Sequence, residues 1–429
     1  MALGIRLFGR AEKRGIIQRL PARADLAADA ETWLRTEYAD AVREIRVRPT
    51  ELDGIALDCD LHPAAGPVVF TFDGTGRVTV VAEPEAAGPG YHTFVWLLID
   101  RLGTALAISW SEADVPLAEI PVGRQLPAPD RASIEREHLA ALQQALGRIH
   151  AARRDGAPPR PLGLPQGTRF SCVGALASPL GPRDGSWLDA AIADPTIATD
   201  VIPWWTDATN GRYHLNRALC LMWTDIRWRR PATDDERSVV DEALRHLRRA
   251  HSLDATLPFP WQEWAELLEL RSATEPLAEL VRARAAASPP ASAPIGYRRR
   301  PVLVVHEGWG LEVPGSFAER RTAEEWLGRE AGRQITLAAV STGHGPTALR
   351  PEAFLDQVAG GFGSSVIRHD EAGVVGRARL DTDASSGMST YVLEGFSAVV
   401  GSGAAIRVEF DDPDDWTWAV ERWRALRPA

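Results

Sequence analysis

The stretch VVFTFDGTGRVTVV, residues 68–81, decides the fold class of the sequence. Its two halves, Val68–Phe72 and Val78–Val81, alternate apolar and smaller or polar residues as half-buried strands do. Asp73-Gly74 lies between them and is one of the strongest short-range signals for a β-hairpin. Because a short turn can join only antiparallel strands, the stretch predicts an antiparallel sheet.

Further elements are predicted on both sides of this hairpin. The alternating segments Glu44–Val47, Ile55–Asp60 and Ala105–Trp110 predict strands. Helical spacing predicts three helices, at Asp29–Val42, Tyr91–Leu102 and Ala132–Ala151. Residues 1–152 are therefore predicted to form an α+β domain, in which helices cover an antiparallel sheet.

The beginning of the chain is basic. Residues 1–23 carry six basic side chains against one acid, Glu12. One interpretation is a basic N-terminal arm that docks on an acidic partner or a membrane surface. The favoured interpretation is a mobile terminus or a helix packed on the first domain.

Two stretches rich in proline, glycine and alanine are interpreted as linkers. They are Arg153–Gly167 and Ala285–Pro294, and the second is followed by the basic patch Arg298-Arg299-Arg300. They divide the chain into three predicted parts, at 1–152, 168–284 and 301–429. We therefore expect a multi-domain α+β protein with antiparallel sheets at both ends and a helical middle.

The middle part is rich in tryptophan, and helices are predicted at Tyr213–Trp228, Glu236–His251 and Pro260–Leu270. Residues 236–270 resemble a tetratricopeptide-type repeat. Ala243, Leu247 and Ala250 have the spacing of that family's second helix, and Trp261, Trp264, Ala265 and Leu268 the spacing of the next first helix. The resemblance implies one helical hairpin packed on its neighbours.

The third part is predicted to consist of strands with a few helices. Strands are expected at Val302–His306, Leu311–Pro314, Gln334–Val340, Ser365–His369, Gly373–Leu380, Ser389–Val399 and Ala404–Phe410, and helices at Thr322–Gly328, Pro351–Gly360 and Pro413–Leu426. With the stretch Val313-Pro314-Gly315-Ser316-Phe317, this order resembles the PsbP-like fold, which is shared with the Mog family of Ran-binding proteins. The resemblance implies a binding or accessory module and no active-site residue. The whole chain also resembles uncharacterised proteins of high-GC bacteria.

Composition excludes several classes of protein. The 429 residues carry a formal net charge of −10, so a nucleic-acid partner is not expected. The three cysteines, Cys59, Cys172 and Cys220, are far apart, which favours free thiols over a disulfide framework or a zinc site. No apolar run approaches the length of a transmembrane segment. These observations predict a cytoplasmic protein.

No catalytic signature is present. The sequence lacks the G-x-S-x-G motif of many hydrolases, the H-E-x-x-H motif of zinc peptidases and the phosphate-binding glycine motifs. Gly88-Pro89-Gly90 could offer backbone N–H groups to an anion, but the favoured interpretation is a strand-to-helix turn, which uses glycine for backbone reasons alone. We predict no catalytic residue, no metal site and no cofactor.

The tryptophan-rich middle is the best candidate for a binding site. Tryptophan and arginine are enriched at binding hot spots, which singles out Trp204, Trp205, Trp223, Arg227 and Trp228, with Arg229 and Arg230 beside them. The favoured structural alternative is that these large rings fill the joint between domains. We therefore expect a non-catalytic interaction or accessory protein whose partner is another protein, as in an immunity-type or complex-forming factor. The alternative is an enzyme or small-ligand binder with a site between domains, built from distant residues such as His92, His214 and His306.

Overall fold

The structure is a computed structural model that describes residues 3–13, 20–51, 53–156, 161–164, 167–170, 172, 176–272, 276–289, 294–322, 324–343, 348–363, 366–383 and 390–429. These residues form three antiparallel sheets with helices packed on them, which confirms the predicted α+β class. Parts of both predicted linkers (157–160, 165–166 and 290–293) lie outside the described residues. No helix of the described ranges is both long enough and apolar enough to cross a membrane.

The first sheet contains the predicted hairpin. Its strands are β1 (Ile5–Ala11), β2 (Glu44–Pro49), β3 (Ile55–Asp60), β4 (Val68–Phe72), β5 (Arg77–Ala82) and β6 (Ile108–Ser111), in the order β2-β3-β4-β5-β1-β6. The Asp73 side chain accepts hydrogen bonds from the backbone N–H groups of Thr75 and Arg77, at 2.8 and 2.9 Å. The turn is therefore stabilised by its own sequence.

The expectation of an N-terminal arm, mobile or packed as a helix, is wrong for residues 5–11. They form β1, which pairs with β5 on one side and with β6 on the other. Ile5 and Leu7 are buried in the first core, while Arg6 between them is exposed. This alternation of apolar and charged residues is that of a half-buried strand. Residues 14–19 of the predicted arm lie outside the described residues.

Two helices, α1 (Arg23–Glu37) and α2 (Pro89–Leu106), pack on this sheet, and α3 (Arg131–Arg154) packs on α2. The helix predicted at Asp29–Val42 lies too far toward the C-terminus. The buried stripe of α1 begins at Leu26, and the helix already ends before Tyr38. Gly90, in the turn that opens α2, donates its backbone N–H to the carbonyl of Trp204. A Cβ at Gly90 would lie 2.3 Å from Thr206 O, so this glycine allows a close approach of the middle part. The anion-binding interpretation of this turn is therefore not supported at Gly90.

The middle part consists of α4 (Gly185–Ala193), α5 (Gly211–Cys220), α6 (Asp234–Leu253), α7 (Trp261–Arg271) and α8 (Ala278–Ala287). Helices α5 to α8 pack consecutively, each on the next, around a shared core. Thr233 caps α6 by accepting a hydrogen bond from the N–H of Glu236 at 3.2 Å, and the predicted apolar stripe of α6 faces this core. The arrangement extends the single expected hairpin to two consecutive helix pairs.

The third part contains β8 (Val302–His306), β9 (Trp309–Val313), β10 (Ala318–Arg321), β11 (Glu325–Glu330), β12 (Arg333–Ser341), α9 (Pro351–Ala359), β13 (Ile367–Glu371), β14 (Val374–Asp383), β15 (Thr390–Val399), β16 (Ser402–Phe410), α10 (Trp416–Arg424) and β17 (Arg427–Pro428). Seven strands form one sheet, in the order β10-β11-β12-β16-β15-β14-β13. Helix α9 covers one face, with Phe354 and Leu355 packed near Ala398. Helix α10, β8 and β9 share a separate core with the seven-stranded sheet.

Two predictions for this part need correction. The helix predicted at 322–328 is wrong, because residues from Glu325 onward form β11, which pairs with β10 and β12. The expected boundary at residue 301 is crossed by β7 (Thr168–Phe170), which pairs with β8 and completes the sheet β17-β9-β8-β7. The first residues of the middle part therefore belong structurally to the third.

A mostly buried network of charges joins the first part to the middle helices. Glu242 of α6 accepts hydrogen bonds on one carboxylate oxygen from Arg217, at 2.9 and 3.1 Å, and on the other from Arg43, at 2.9 Å. Arg43 also pairs with Asp60 at 3.0 Å and Asp225 at 3.4 Å. Burial alone raises the pKa of Glu242, but the two arginines outweigh it and hold the pKa below its ordinary value. The joint is therefore fixed by complementary charge.

Candidate functional site

A cleft of about 570 Å³ lies where the three parts meet. The first part contributes Arg46 of β2, and the third part contributes side chains of β10 and β11. The middle part contributes the segment that follows α5 and the first turns of α6. We name it the arginine cleft, because its lining includes Arg46, Arg227, Arg229, Arg298, Arg320 and Arg329.

A π-helical turn brings Arg227 into this cleft. Helix α5 ends at Cys220 rather than continuing to Trp228 as predicted, and residues Leu221–Asp225 form the π-helical turn. The N–H of Ile226 donates to the carbonyl of Leu221 at 2.9 Å and closes this turn. Such turns are rare and frequently lie at functional sites. The helical conformation therefore ends with this turn, directly before Arg227.

The neighbouring Trp228 holds the released segment in place. Its backbone is left-handed, with φ of 56°, and its indole N–H donates to the carbonyl of Met222 at 3.2 Å. The guanidinium of Arg299 lies 3.8 Å from the centre of its ring. A Cβ at Gly296 would lie 1.9 Å from the indole nitrogen, so glycine is required for this contact. Trp228 therefore anchors the segment rather than presenting a free surface.

Arg298 and Glu319 form the paired part of the cleft. Arg298 is only 8% exposed and donates to Glu319 at 2.6 Å and to the carbonyl of Thr224. Burial alone raises the pKa of Glu319, but Arg298 and Arg227 outweigh it and hold the pKa below its ordinary value. Arg229 is paired as well, with two hydrogen bonds of 2.8 Å to Glu236. These two arginines already have carboxylate partners.

Arg227 is a buried cation of the cleft whose pairing is incomplete, although its Nη1 donates to the carbonyl oxygen of Asp225 at 3.3 Å. Its side chain is 14% exposed, and its Nε–H is buried with no hydrogen-bond partner among the described residues. Its contact with Glu319 is long, at 3.8 Å, and that carboxylate is shared with Arg298. Burial and the like charge of Arg298 lower the pKa of Arg227 to about 10. A buried positive charge without a close counterion is costly unless an anion compensates it.

The lining of the arginine cleft as a whole carries more positive than negative side chains. Six arginines face four carboxylates, those of Asp225, Asp235, Glu236 and Glu319. Arg329 is exposed at the rim and has no ion-pair partner within the described part of the chain. Ile226, Val239 and Leu327 supply apolar wall. Guanidinium groups recognise phosphate and carboxylate in pairs of hydrogen bonds, so this lining can hold an organic anion.

The tryptophans predicted as a binding surface are distributed over separate environments. Trp204 is 3% exposed and lies in the core of the first part, against Tyr91 and Phe94. Trp205 is partly buried and packs beside α3 and α4. Trp223 contacts the ring of Tyr297, with centroids 4.8 Å apart. These positions match the structural alternative, in which the rings fill joints between the parts, and do not form one surface.

The burial of Trp204 leads to a testable prediction. We expect Trp204→Ala to lower the free energy of unfolding by about 3–5 kcal/mol, because it leaves a large cavity in the core. Trp205 is partly exposed, so Trp205→Ala serves as the comparison. Its decrease in the free energy of unfolding should be about half as large. Chemical denaturation followed by circular dichroism measures both. Equal losses in the two variants would contradict the assignment of Trp204 to the core.

The three histidines of the alternative prediction lie in separate clusters. The ring of His92 lies 5.6 Å from that of His138. His214 lies in the middle part, with its Nδ1 2.8 Å from Nδ1 of His246. His306 is buried on β8 in the third part. The predicted constellation is therefore not formed, and His344 lies outside the described residues.

Within the described ranges, no cluster of three or more histidine, cysteine, aspartate or glutamate side chains has a geometry that could hold a metal ion. Cys59 and Cys220 are buried and Cys172 is partly buried, each as a free thiol. Burial raises the pKa of the Cys59 thiol to about 12, which keeps it protonated.

Sequence reasoning missed most of the arginine cleft. It identified Arg227 and Arg229 near the tryptophans, and it recorded Arg298 only as part of a basic patch after a linker. Arg46, Arg320 and Arg329 lie on strands, where alternating exposed arginines are ordinary surface residues. The usable signal was the coincidence of two arginine-rich segments, 227–230 and 298–300, in a chain of net negative charge.

Comparisons with known proteins add little. No family model matches the chain, and no curated protein sequence matches it significantly. A crystal structure of a protein from Bacteroides thetaiotaomicron is 10% identical over 28% of this chain, with a TM-score of 0.25. The match spans 45% of that protein, less than half of its length. The resemblances to tetratricopeptide repeats and to the PsbP-like fold therefore stay predictions.

Proposed function

We propose that this protein is a binding protein that holds a small organic anion in the arginine cleft. The observation that carries the proposal is Arg227, a largely buried guanidinium whose Nε–H has no partner among the described residues and whose nearest carboxylate already binds Arg298. An anionic group placed between Arg227 and the rim arginines would supply the missing counterion. The apolar wall adds room for a ligand that carries more than its charged group.

The proposal adopts the small-ligand alternative and places it between the three parts. Small-molecule sites commonly lie at domain interfaces, where one ligand contacts several rigid elements. A bound anion would contact the first, middle and third parts at once, so binding would stabilise their mutual arrangement. The protein-partner function predicted from the sequence has less support, because its tryptophans are largely packed inside the molecule.

The test is titration calorimetry at physiological ionic strength, where the Debye length is about 8 Å, with pyrophosphate and with phenyl phosphate, which adds an apolar ring. We expect Arg227→Met to weaken binding by about 10- to 100-fold, since one charged hydrogen-bonding partner is lost. Methionine fills a similar volume, so the unliganded variant should be as stable as the parent or more stable.

Arg230→Met is the matched control for this experiment. Arg230 lies three residues further along the same segment, is exposed, and does not line the cleft. Its loss should leave the affinity for both probes within about twofold, since exposed charges at this range are screened. Equal weakening in the two variants, or no binding of either anion by the parent protein, would refute the proposal.

A further inference from the structure

A second cavity, of about 500 Å³, lies beside α3 and is lined mostly by residues of the first part. Leu142 of α3, Leu162, Ile202 and Trp205 supply apolar wall. The cavity is separate from the arginine cleft, since no residue lines both. It includes Trp205, one of the residues that the sequence predicted for binding.

The polar group inside this cavity is His138. It is 4% exposed, and its Nδ1 lies 3.0 Å from the carbonyl oxygen of Ile134. A carbonyl oxygen can only accept a hydrogen bond, so Nδ1 must carry the ring hydrogen. The neutral ring then presents a bare lone pair at Nε2. That atom is buried and has no partner within the described part of the chain.

The surroundings keep this ring neutral. Burial lowers the pKa of His138 below its ordinary value. The adjacent ring of His92 has its pKa lowered to about 4 by burial and by His138. Two close imidazoles oppose each other's protonation, so both stay uncharged near neutral pH. Near neutral pH His138, a residue of the cavity wall, therefore carries a buried hydrogen-bond acceptor at Nε2 that has no partner among the described residues.

Charge at the cavity has one sign. Glu83 and Glu85 line it and are exposed to solvent, and neither has an ion-pair partner among the described residues. No arginine or lysine of the described ranges lines the cavity. Two carboxylates beside an apolar cavity attract a cation and repel an anion. This electrostatic preference is opposite to that of the arginine cleft.

We propose that this cavity is a second binding site, for an amphipathic amine. The ammonium group would lie near Glu83 and Glu85, and the apolar body would pack against Leu142, Leu162 and Trp205. A hydroxyl or N–H of the ligand would donate to His138 Nε2 and satisfy that buried acceptor. The site requires no contribution from the arginine cleft and does not depend on the proposed anion ligand.

The experiment uses 8-amino-1-octanol as the probe, with octylamine and octanoate as comparisons, titrated into the full chain by calorimetry. We expect 8-amino-1-octanol to bind at least about tenfold more tightly than octanoate, because the carboxylate of octanoate is repelled by Glu83 and Glu85. The double variant E83Q/E85Q should lose this preference. Both positions are exposed, so the variant should fold normally.

A second variant tests the buried acceptor. His138→Phe keeps a ring of similar size and removes the Nε2 lone pair. We expect it to weaken the binding of 8-amino-1-octanol by about three- to tenfold, since the hydroxyl loses its acceptor. The binding of octylamine should be weakened less, because octylamine has no hydroxyl. Equal affinity for octylamine and octanoate in the parent protein would overturn the proposal. So would unchanged preference in E83Q/E85Q, which is independent of whether His138→Phe folds.

Discussion

Replacing Glu242 with glutamine should lower the free energy of unfolding by about 3–5 kcal/mol, the range found when one partner of a buried ion pair is removed. The Glu242 carboxylate is 11% exposed and Arg217 only 1% exposed. Water therefore cannot solvate the guanidinium charge that the substitution leaves without its counterion. Each carboxylate oxygen binds one arginine, and a neutral amide leaves both guanidinium groups undercompensated. Urea denaturation followed by tryptophan fluorescence measures the loss.

Asp241→Asn is the matched control on the same helix. Asp241 pairs with Arg271 at 2.7 Å, a distance similar to those around Glu242, but its side chain is 50% exposed. Exposed ion pairs contribute about 0–1 kcal/mol, so this substitution should change little. Equal losses in the free energy of unfolding of the two variants would show that burial does not explain the contribution of the Glu242 network.

The second large effect is the loss of stability in mild acid. Burial lowers the pKa of His92 and of His214 from 6.5 to about 4, and like charges, from His138 and from Arg249, add to the effect. A histidine with a lower pKa in the folded state takes up a proton on unfolding. Stability is therefore full above pH 6.5 and falls as the pH drops toward 4. We expect Tm to fall by about 5–10 °C between pH 7 and pH 4.5.

His62 provides the sharpest check on this interpretation. It is buried, and burial with the charges of Arg217 and Arg43 lowers its pKa. Its Nδ1 accepts a hydrogen bond from the N–H of Ala64 at 3.1 Å, which protonation would abolish. In His62→Phe the fall in Tm with acidification should be smaller than in the parent. A Tm that stays constant to pH 4.5 in the parent protein would show that these rings are not held neutral.

Elements whose signals are local could be predicted. The hairpin of β4 and β5 depends on a turn in which Asp73 binds the backbone of its own neighbours. Helix α6 begins at Thr233, which caps it, and it carries an apolar stripe of ordinary helical spacing. In both cases the interactions that define the element lie within a few residues of one another, so the sequence alone contains them.

Elements defined by distant partners were predicted less well. Strand β1 alternates Ile5, Arg6 and Leu7, but its charges suggested an arm, because β5 and β6 lie far along the chain. The segment of β11 has residues that suit a helix. It is a strand because pairing with β10 and β12 overrides local propensity.

The sequence by itself determined the α+β class, the central hairpin and the amphipathic helices of the middle part, because each follows from short-range periodicity, caps and turns. Only the tertiary structure decided where the functional side chains meet. Arg227 becomes a buried and incompletely paired cation because Arg298, which lies far along the chain, takes the close contact with Glu319. Likewise, His138 lines an apolar cavity only because Leu162 and Trp205, which are distant in sequence, supply other parts of the same wall. Charge and burial at such sites depend on long-range packing, which one-dimensional patterns do not contain.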